Sequence, residues 1–366
     1  MSSNKSRMDF SAPRPRYWSV VWGAVLVLGL AVWIAALAAG DPHRAWRALL
    51  INFLYFTPLA AGMVTWPAVI MAARGEAMEP VRRPALIGIA FAPVSLLSFV
   101  ALWFGRAYWA GWRQHVPLSQ GFWLNEGFVF ARNGLGLAIL WALAVMFVLR
   151  LRKGRPKVLG GWLIFTYCAV FSLLGFDFVM ALDPLWYSTL FGAYFFISGM
   201  YIAVAAWTLS AIAQCPPVEP AHRRNLARLM VAFSLLTTYL MFCQLLPIWY
   251  ENLPHESRFV VVRLRLSPWR WVSLGLVLTV YLGPLVLLLG HRWKGSRWYL
   301  IAVTLLVLAG MWVERWWLVT PSLSGPARLG LAEVSITGAS LAALILGAGA
   351  FSRRMPPEFP EEGRES

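Results

Sequence analysis

The sequence predicts an all-α polytopic membrane protein with about ten transmembrane helices. Of its 366 residues, 59% are hydrophobic and 13% are charged, and the mean hydropathy is +0.63. Soluble proteins average roughly 45–50% apolar and 25% charged residues. The apolar residues also fall in runs of about 20, the length at which a helix crosses a bilayer. These observations exclude soluble dehydrogenases, nucleases and DNA-binding proteins.

Ten apolar runs, numbered here as spans 1 to 10, are long enough to cross. The segment before span 1 lacks the short apolar core and small-residue cleavage site of a signal peptide, so we expect it to stay uncleaved. Basic loops separate spans 2 from 3, 4 from 5, 6 from 7 and 8 from 9, and Asp183-Pro184 marks the end of span 5. The predicted spans are 18–40, 49–73, 84–109, 128–149, 158–182, 187–213, 226–250, 269–290, 298–319 and 331–351.

Lys and Arg are distributed unevenly between the two sets of connecting segments. Of the 32 cations, 21 lie in the two tails and in the loops around Arg82, 150–157, Arg223 and 292–297, and 11 lie in the other set. By the positive-inside rule, both termini are cytoplasmic. The net charge of +16 is therefore a signal of orientation and of contact with membrane lipids, and no nucleic-acid partner is expected. The outward segments 113–125 and 251–268 are the expected docking surface for an external partner.

A weak internal repeat supports this layout. Trp66, Arg82 and Arg83 recur as Trp207, Arg223 and Arg224 at a constant offset of 141. This offset relates spans 2–5 to spans 6–9 in the same orientation, which predicts a parallel repeat of two four-helix bundles with two peripheral helices. The predicted units are an N-terminal cytoplasmic tail (1–17), helix 1 with an outer loop (18–48), the first bundle (49–182), the second bundle (183–319), an outer loop with helix 10 (320–351) and a cytoplasmic C-terminal tail (352–366).

The histidines and cysteines predict that the chain binds no cofactor itself. All five histidines, His43, His115, His222, His255 and His291, fall in loops or at span ends, whereas a b-type haem needs axial His ligands inside spans. Cys168, Cys215 and Cys243 lie far apart without a C-x-x-C motif, which excludes a disulfide framework and a cysteine-bound cluster. Any electrons must then be carried by another subunit or by a diffusible quinone.

Ionisable residues within or next to spans are functional candidates, because charge inside a bilayer is costly. All of the candidates lie toward the predicted outer face and form a candidate proton path or buried polar cluster: Arg106, Glu126, Arg132, Asp177, Asp183, Tyr187, Glu314 and Arg315. The inner halves of the spans offer hydroxyl groups instead. For Asp177 two interpretations stay open, a proton relay or a structural ion pair with Arg132.

Several segments together resemble a known family. They are NFLYFTPLAAGMVTWPAVI, APVSLLSFVALWFGR, WLNEGFVFARNGLGL, FSLLGFDFVMALDPLWYSTLFGAYFFISGMY and LPIWYENLPHE, and the likeness runs over 52–317. The chain resembles the NrfD-like superfamily, which includes the polysulfide-reductase membrane subunit, and above all the ActF-type subunit of alternative complex III, a bacterial quinol:electron-acceptor oxidoreductase. The most specific part is FD-x-x-M-x-LDP-x-WYST, which begins at Phe176.

The resemblance implies a non-haem subunit of a respiratory complex in the bacterial cytoplasmic membrane, not catalytic alone. Its implied partners are an ActC-type membrane subunit, multihaem cytochrome c and iron–sulfur subunits that carry the haem c and the clusters, and a terminal oxidase. Quinol sites in such relatives use a His with an Asp, and this chain has no His inside a span. Quinone is then expected near the chain, whose own role is proton conduction or scaffolding. The alternatives are a secondary transporter and a purely structural membrane anchor.

Overall fold

The computed structural model describes residues 16–38, 40–113, 121–183, 186–213, 218–251, 253–290, 295–323 and 328–354, and among these residues there is no strand. Most of both predicted tails lies outside the described residues, as do Cys215, His115 and His291. Ten helices are long and apolar enough to cross a membrane, which confirms the predicted all-α polytopic class. They are Tyr17–Ala38, Pro42–Ala72, Met78–Phe104, Glu126–Leu151, Lys157–Leu182, Phe191–Ile212, Pro220–Glu251, Trp269–Leu289, Arg297–Leu323 and Leu331–Arg354.

Spans 2, 3 and 7 begin six or seven residues before their predicted first residue. Span 2 starts at Pro42, so the residues up to 48, predicted as an outer loop, are its first turns. The Asp41 side chain accepts a hydrogen bond from the Arg44 backbone N–H (3.1 Å), and Pro42 occupies the first turn, where its missing N–H costs nothing. Span 7 likewise starts at Pro220 rather than at 226. Hydropathy alone predicts the start of such a helix too late, because the first turns are polar and lie outside the hydrocarbon.

Span 3 is a chain of short helical pieces. A 3₁₀ turn (Glu76–Val81), an α turn (Arg82–Ala85) and a second 3₁₀ segment (Leu86–Phe91) lead into the α-helix Ala92–Phe104. The span ends at Phe104, five residues earlier than predicted, and Gly105 follows it. A Cβ at Gly105 would lie 2.1 Å from the Trp46 ring. Only glycine allows this close approach to span 2.

Span 8 contains a π-helical turn. The α-helix Trp269–Leu276 passes into a π turn over Val277–Tyr281 and resumes as Gly283–Leu289. Pro284 has no N–H for the carbonyl four residues earlier, so backbone acceptors at this level are free for other spans. A separate helix outside the spans, Pro254–Leu264, packs against spans 7 and 8.

Spans 2 and 6 form the centre of the molecule. Span 2 contacts spans 3, 4, 5, 6, 9 and 10, and every residue in its most apolar stretch is buried. Trp66 and Trp207, the pair related by the offset of 141, have ring centroids 6.0 Å apart. If a twofold pseudo-axis relates the two halves, it passes between these two tryptophan rings, because residues related by such an axis meet only beside it.

Spans 1 and 10 pack against each other beside span 2. Gly29 allows this contact, since a Cβ there would lie 2.5 Å from the Ser335 carbonyl oxygen. Glu333 of span 10, fully buried, accepts two hydrogen bonds from the Arg44 Nε (2.9 and 3.0 Å), and the Arg47 Nη2 lies 3.8 Å from it. This ion pair, which the sequence reasoning did not identify, fixes span 10 to span 2.

Candidate functional site

The strongest candidate is a group of five buried residues from spans 6, 8 and 9, called here the Glu314 cluster: Tyr194, Ser198, Tyr281, Glu314 and Arg315. Glu314 and Arg315 lie next to each other on span 9, and neither is exposed at all. The Arg315 Nη1 donates a hydrogen bond to the Glu314 Oε2 at 2.7 Å. A carboxylate and a guanidinium thus share one site within the apolar interior.

Two tyrosines extend the cluster from the carboxylate of Glu314. The Tyr194 hydroxyl donates to the Glu314 Oε1, and the Tyr194 and Tyr281 hydroxyl oxygens are 2.8 Å apart. Both phenol groups are buried. Three exchangeable groups from three different spans therefore form one unbroken hydrogen-bonded chain.

Ser198 and Phe195 of span 6 hold the other side of Arg315. The Arg315 Nη2 donates to the Ser198 Oγ (2.8 Å), which itself donates to the Phe195 carbonyl (2.9 Å). The guanidinium carbon is 4.3 Å from the Phe195 ring centroid, within cation–π range. The Arg315 Nε is buried without a hydrogen-bond partner among the described residues. The Arg315 guanidinium is thus held in place beside Glu314.

The π turn of span 8 anchors Tyr281. Its carbonyl accepts hydrogen bonds from the Ser234 Oγ (2.9 Å) and the Thr238 Oγ1 (3.2 Å) of span 7. The preceding carbonyl, of Val280, accepts from the Tyr201 hydroxyl at 3.1 Å. Carbonyls that the π turn and Pro284 leave free within span 8 are therefore satisfied by spans 6 and 7.

The two tyrosines lie at different distances along their own spans. At about 1.5 Å of rise per residue, Tyr194 lies about 5 Å from the start of span 6 and Tyr281 about 18 Å from the start of span 8. Both starts are on the side predicted to face outward. A proton entering at Glu314 could move along the two phenols by exchange of hydrogen bonds.

At the positions that the predicted repeat relates to this cluster, the first half of the chain has apolar residues. At the offset of 141, Tyr194 corresponds to Phe53 and Tyr281 to Leu140. Glu314 and Arg315 correspond to two leucines, at 173 and 174. Hydrophobic residues can replace a buried ion pair with little or no loss of stability.

Asp177 has a different environment, in which fixed donors surround both carboxylate oxygens. The Arg132 guanidinium binds it through Nε (2.9 Å to Oδ2) and Nη2 (2.6 Å to Oδ1). The Asn133 Nδ2 donates to Oδ2 (2.5 Å), and the Trp123 Nε1 donates to Oδ1 (3.1 Å). Arg132 also lies 3.8 Å from the Trp123 ring centroid. Of the two interpretations left open by the sequence, this geometry favours the structural ion pair between spans 4 and 5.

The other sequence candidates lie apart from both groups. Glu126 accepts from the Arg106 Nε (2.8 Å) and the Arg113 Nε (2.5 Å) at the outer end of span 4, and about a third of each side chain is exposed. The Asp183 Oδ2 lies 3.8 Å from the Arg258 Nε, and Tyr187 is 60% exposed. The eight predicted residues are thus distributed among separate groups, and only Glu314 and Arg315 connect to a longer polar chain.

Sequence reasoning missed Tyr194, Tyr281 and Arg263. Tyr194, Ser198 and Tyr201 recur at spacings of four and three, which indicates one polar face on span 6. Arg263, in the helix Pro254–Leu264, is buried and donates to the Trp317 and Leu318 carbonyls (3.2 and 2.7 Å). Burial lowers the pKa of the Arg263 guanidinium to about 9. No pattern in the sequence marked that segment as helical.

A small cleft adjoins the cluster at Tyr281. Its volume is about 50 Å³, and its wall is mostly apolar, with Arg263 and Ser273 among the lining residues. A cavity of about 150 Å³ holds a benzene ring, so this cleft is too small for the ring of a quinol. Among the described residues, no three His, Cys, Asp or Glu side chains are grouped closely enough to hold a metal ion. No family model and no curated protein matches the chain.

Proposed function

We propose that this chain is an integral membrane subunit of a respiratory quinol-oxidising complex of the alternative complex III type. In that complex it conducts protons and holds neighbouring subunits, and it carries no redox centre of its own. Haem c and iron–sulfur clusters belong to partner subunits, and an ActC-type subunit provides the main quinol site. The membrane is the bacterial cytoplasmic membrane, with both termini of the chain on the cytoplasmic side.

The Glu314 cluster is the observation that carries the proton-conducting role. It joins a carboxylate and two phenols by direct hydrogen bonds across three spans, with a fixed cation beside the carboxylate. Apolar residues take these positions in the first half. Because buried ionisable residues in membrane spans are expensive, this connected chain of exchangeable groups supports a role in moving charge.

Two features support the scaffolding role. The bidentate pair of Arg132 and Asp177 ties span 4 to span 5, and it lacks an unoccupied acceptor that a proton relay would use. Around the ends of the spans predicted to face outward, Phe122, Trp249 and Tyr250 are 81%, 77% and 82% exposed. Aromatic side chains of this kind are enriched where protein partners dock.

The small size of the cleft beside Tyr281 supports placing quinol oxidation away from the Glu314 cluster. A quinol ring needs more room than about 50 Å³, and no histidine lies inside a described span beyond its first turns. The chain would then accept protons that quinol oxidation releases nearby. This division of labour agrees with what the family resemblance implies.

The test is quinol-driven proton release by the purified complex in sealed vesicles. We expect Glu314→Gln, which keeps the size and one acceptor oxygen, to lower subunit content, because Arg315 loses its counter-charge, and to release fewer protons per quinol from the complex that assembles. Glu126→Gln is the matched control, because Glu126 lies near the outer surface outside the cluster. Equal proton release from Glu314→Gln and the unmodified complex, at equal subunit content and turnover, would refute the proton-conducting role.

A further inference from the structure

The ends of spans 2, 3 and 5 enclose a cleft on the side predicted to be cytoplasmic. Its volume is about 180 Å³, well above the roughly 10–15 Å³ that one water molecule needs. The residues that line this basic cleft are Pro67, Ile70, Met71, Arg74, Gly75, Glu79, Arg82, Arg155 and Lys157. It lies far from the Glu314 cluster in the chain's topology, at the opposite ends of the spans.

The basic cleft carries an excess of positive charge. Of the described residues that line it, four are cationic and one, Glu79, is a carboxylate. Glu79 is shared between two of the cations, with its oxygens 3.3 Å from the Arg82 Nη1 and 3.4 Å from the Arg155 Nη2. Cations thus outnumber carboxylates four to one among the described lining residues, which favours an anion in the cleft.

Arg74, one of the four cations that line the cleft, has a strained backbone conformation. Arg74 has φ +55°, and the Gly75 N–H donates to the Ile70 carbonyl (2.9 Å), which closes the end of span 2. Glycine usually takes the left-handed position in such a helix end, because side chains disfavour it. Here the glycine follows one residue later, and an arginine that lines the cleft occupies the strained position. Strained residues of this kind are concentrated at binding and catalytic sites.

The cleft also has an apolar wall. Pro67, Ile70 and Met71 form one wall, near the end of span 2. Span 5 starts at Lys157, and its next turns expose an apolar stripe of Val158, Trp162 and Phe165, at 78%, 59% and 64%. Acyl chains could lie along this stripe while a headgroup contacts the cations.

We propose that the basic cleft binds the phosphate of an anionic phospholipid of the phosphatidylglycerol class. Arg74, Arg82, Arg155 and Lys157 contact the phosphate oxygens, and the apolar wall contacts the glycerol and the first acyl carbons. The apolar wall and the position at the membrane surface favour a lipid over free phosphate. The bound lipid ties the loop between spans 2 and 3 to the loop between spans 4 and 5.

The test uses the purified full-length chain, stripped of lipid in neutral detergent, with lipid binding followed by native mass spectrometry. The cleft variant is Arg74→Gln with Lys157→Gln. The matched control is Arg150→Gln with Lys153→Gln, which removes two exposed cations of the neighbouring loop that do not line the cleft. A cation near anionic lipid contributes about fivefold in affinity, so we expect the cleft variant to bind phosphatidylglycerol about thirtyfold more weakly. The control should bind like the unmodified chain.

Three further arms test the source and the specificity. Phosphatidylcholine should bind more weakly than phosphatidylglycerol, and equal binding of the two would overturn the proposal. If inorganic phosphate alone binds tightly and this binding is lost in the cleft variant, the ligand is a free anion, and the proposal of a bound lipid is overturned. Equal losses in the cleft and control variants would show unspecific attraction. If the cleft variant fails to fold, phosphatidylglycerol must still raise the melting temperature of the unmodified chain above that with phosphatidylcholine, and no such rise would also overturn the proposal.

Discussion

Replacing Asp177 by asparagine tests the structural ion pair most sharply. All four contacts of the carboxylate come from donors, two on each oxygen. An asparagine amide must turn its own N–H₂ group toward one of these two pairs of donors. Two hydrogen bonds are then lost, and a donor faces donors. The Arg132 guanidinium, only 11% exposed, also loses its counter-charge.

The cost follows from these contacts. Hydrogen bonds to a charged group contribute about 1.5–3 kcal/mol each, so two lost bonds give roughly 3–6 kcal/mol. Removing one partner of a buried ion pair costs about 3–5 kcal/mol by itself, and the two figures describe the same loss. The slight exposure of Arg132 lets water recover part of it. We therefore expect Asp177→Asn to lower the free energy of unfolding by about 3–5 kcal/mol.

The assay is reversible unfolding of the purified chain in mixed micelles, followed by tryptophan fluorescence. Asp183→Asn is the control, because the nearest described cation, Arg258, is 3.8 Å away and 59% exposed, and the expected loss is at most about 1 kcal/mol. The double variant Arg132→Ser with Asp177→Leu copies the residues at the offset of 141, Ser273 and Leu318. It should cost less than the sum of the single variants, because no charge is left unpaired. An Asp177→Asn loss no larger than that of Asp183→Asn would refute the structural reasoning.

Three other outcomes are expected. Glu314→Leu alone should reduce assembled subunit content, since Arg315 would be left unpaired at a cost of about 3–5 kcal/mol. Glu314→Leu with Arg315→Leu should assemble normally, because no charge is left unpaired. Quantitative immunoblots of membranes measure subunit content, and equal losses in the two variants would contradict this expectation. In intact cells, an impermeant maleimide should label a cysteine at Arg258 and not one at Lys153, and the reverse pattern would invert the topology. The polypeptide separated from its partners should show no haem absorbance, and a stoichiometric b-type spectrum would contradict the assignment of the electron carriers to other subunits.

The sequence predicted the spans well because length and apolar character alone define a membrane helix. It failed at the ends, where Asp41 caps span 2 beyond the hydrocarbon and where the helix Pro254–Leu264 has a polar composition. These elements depend on capping and on tertiary contacts, which hydropathy does not register. The 3₁₀ pieces of span 3 and the π turn of span 8 could not be read from composition either.

The candidate site was predicted in part. Glu314 and Arg315 stand out because two charges interrupt an apolar span, and Arg132 was named in advance as a partner for Asp177. Tyr281 carried no such signal, because a tyrosine in a span is equally typical of an interface or a core. Its partner Tyr194 is 87 residues away, and their contact depends on how spans 6 and 8 pack. Hydrogen bonds between distant spans are properties of the fold and not of any single segment.

The number of protons released per quinol in a Tyr281→Phe complex tests the central claim most directly. The change removes one hydroxyl from the cluster, leaves the pair of Glu314 and Arg315 intact and should cost only about 0.5–1.5 kcal/mol of stability. We predict normal assembly with fewer protons released per quinol, because the hydrogen-bonded chain then ends at Tyr194. Unchanged proton release at normal subunit content, in Tyr281→Phe and in Tyr194→Phe alike, would contradict a proton path through the Glu314 cluster.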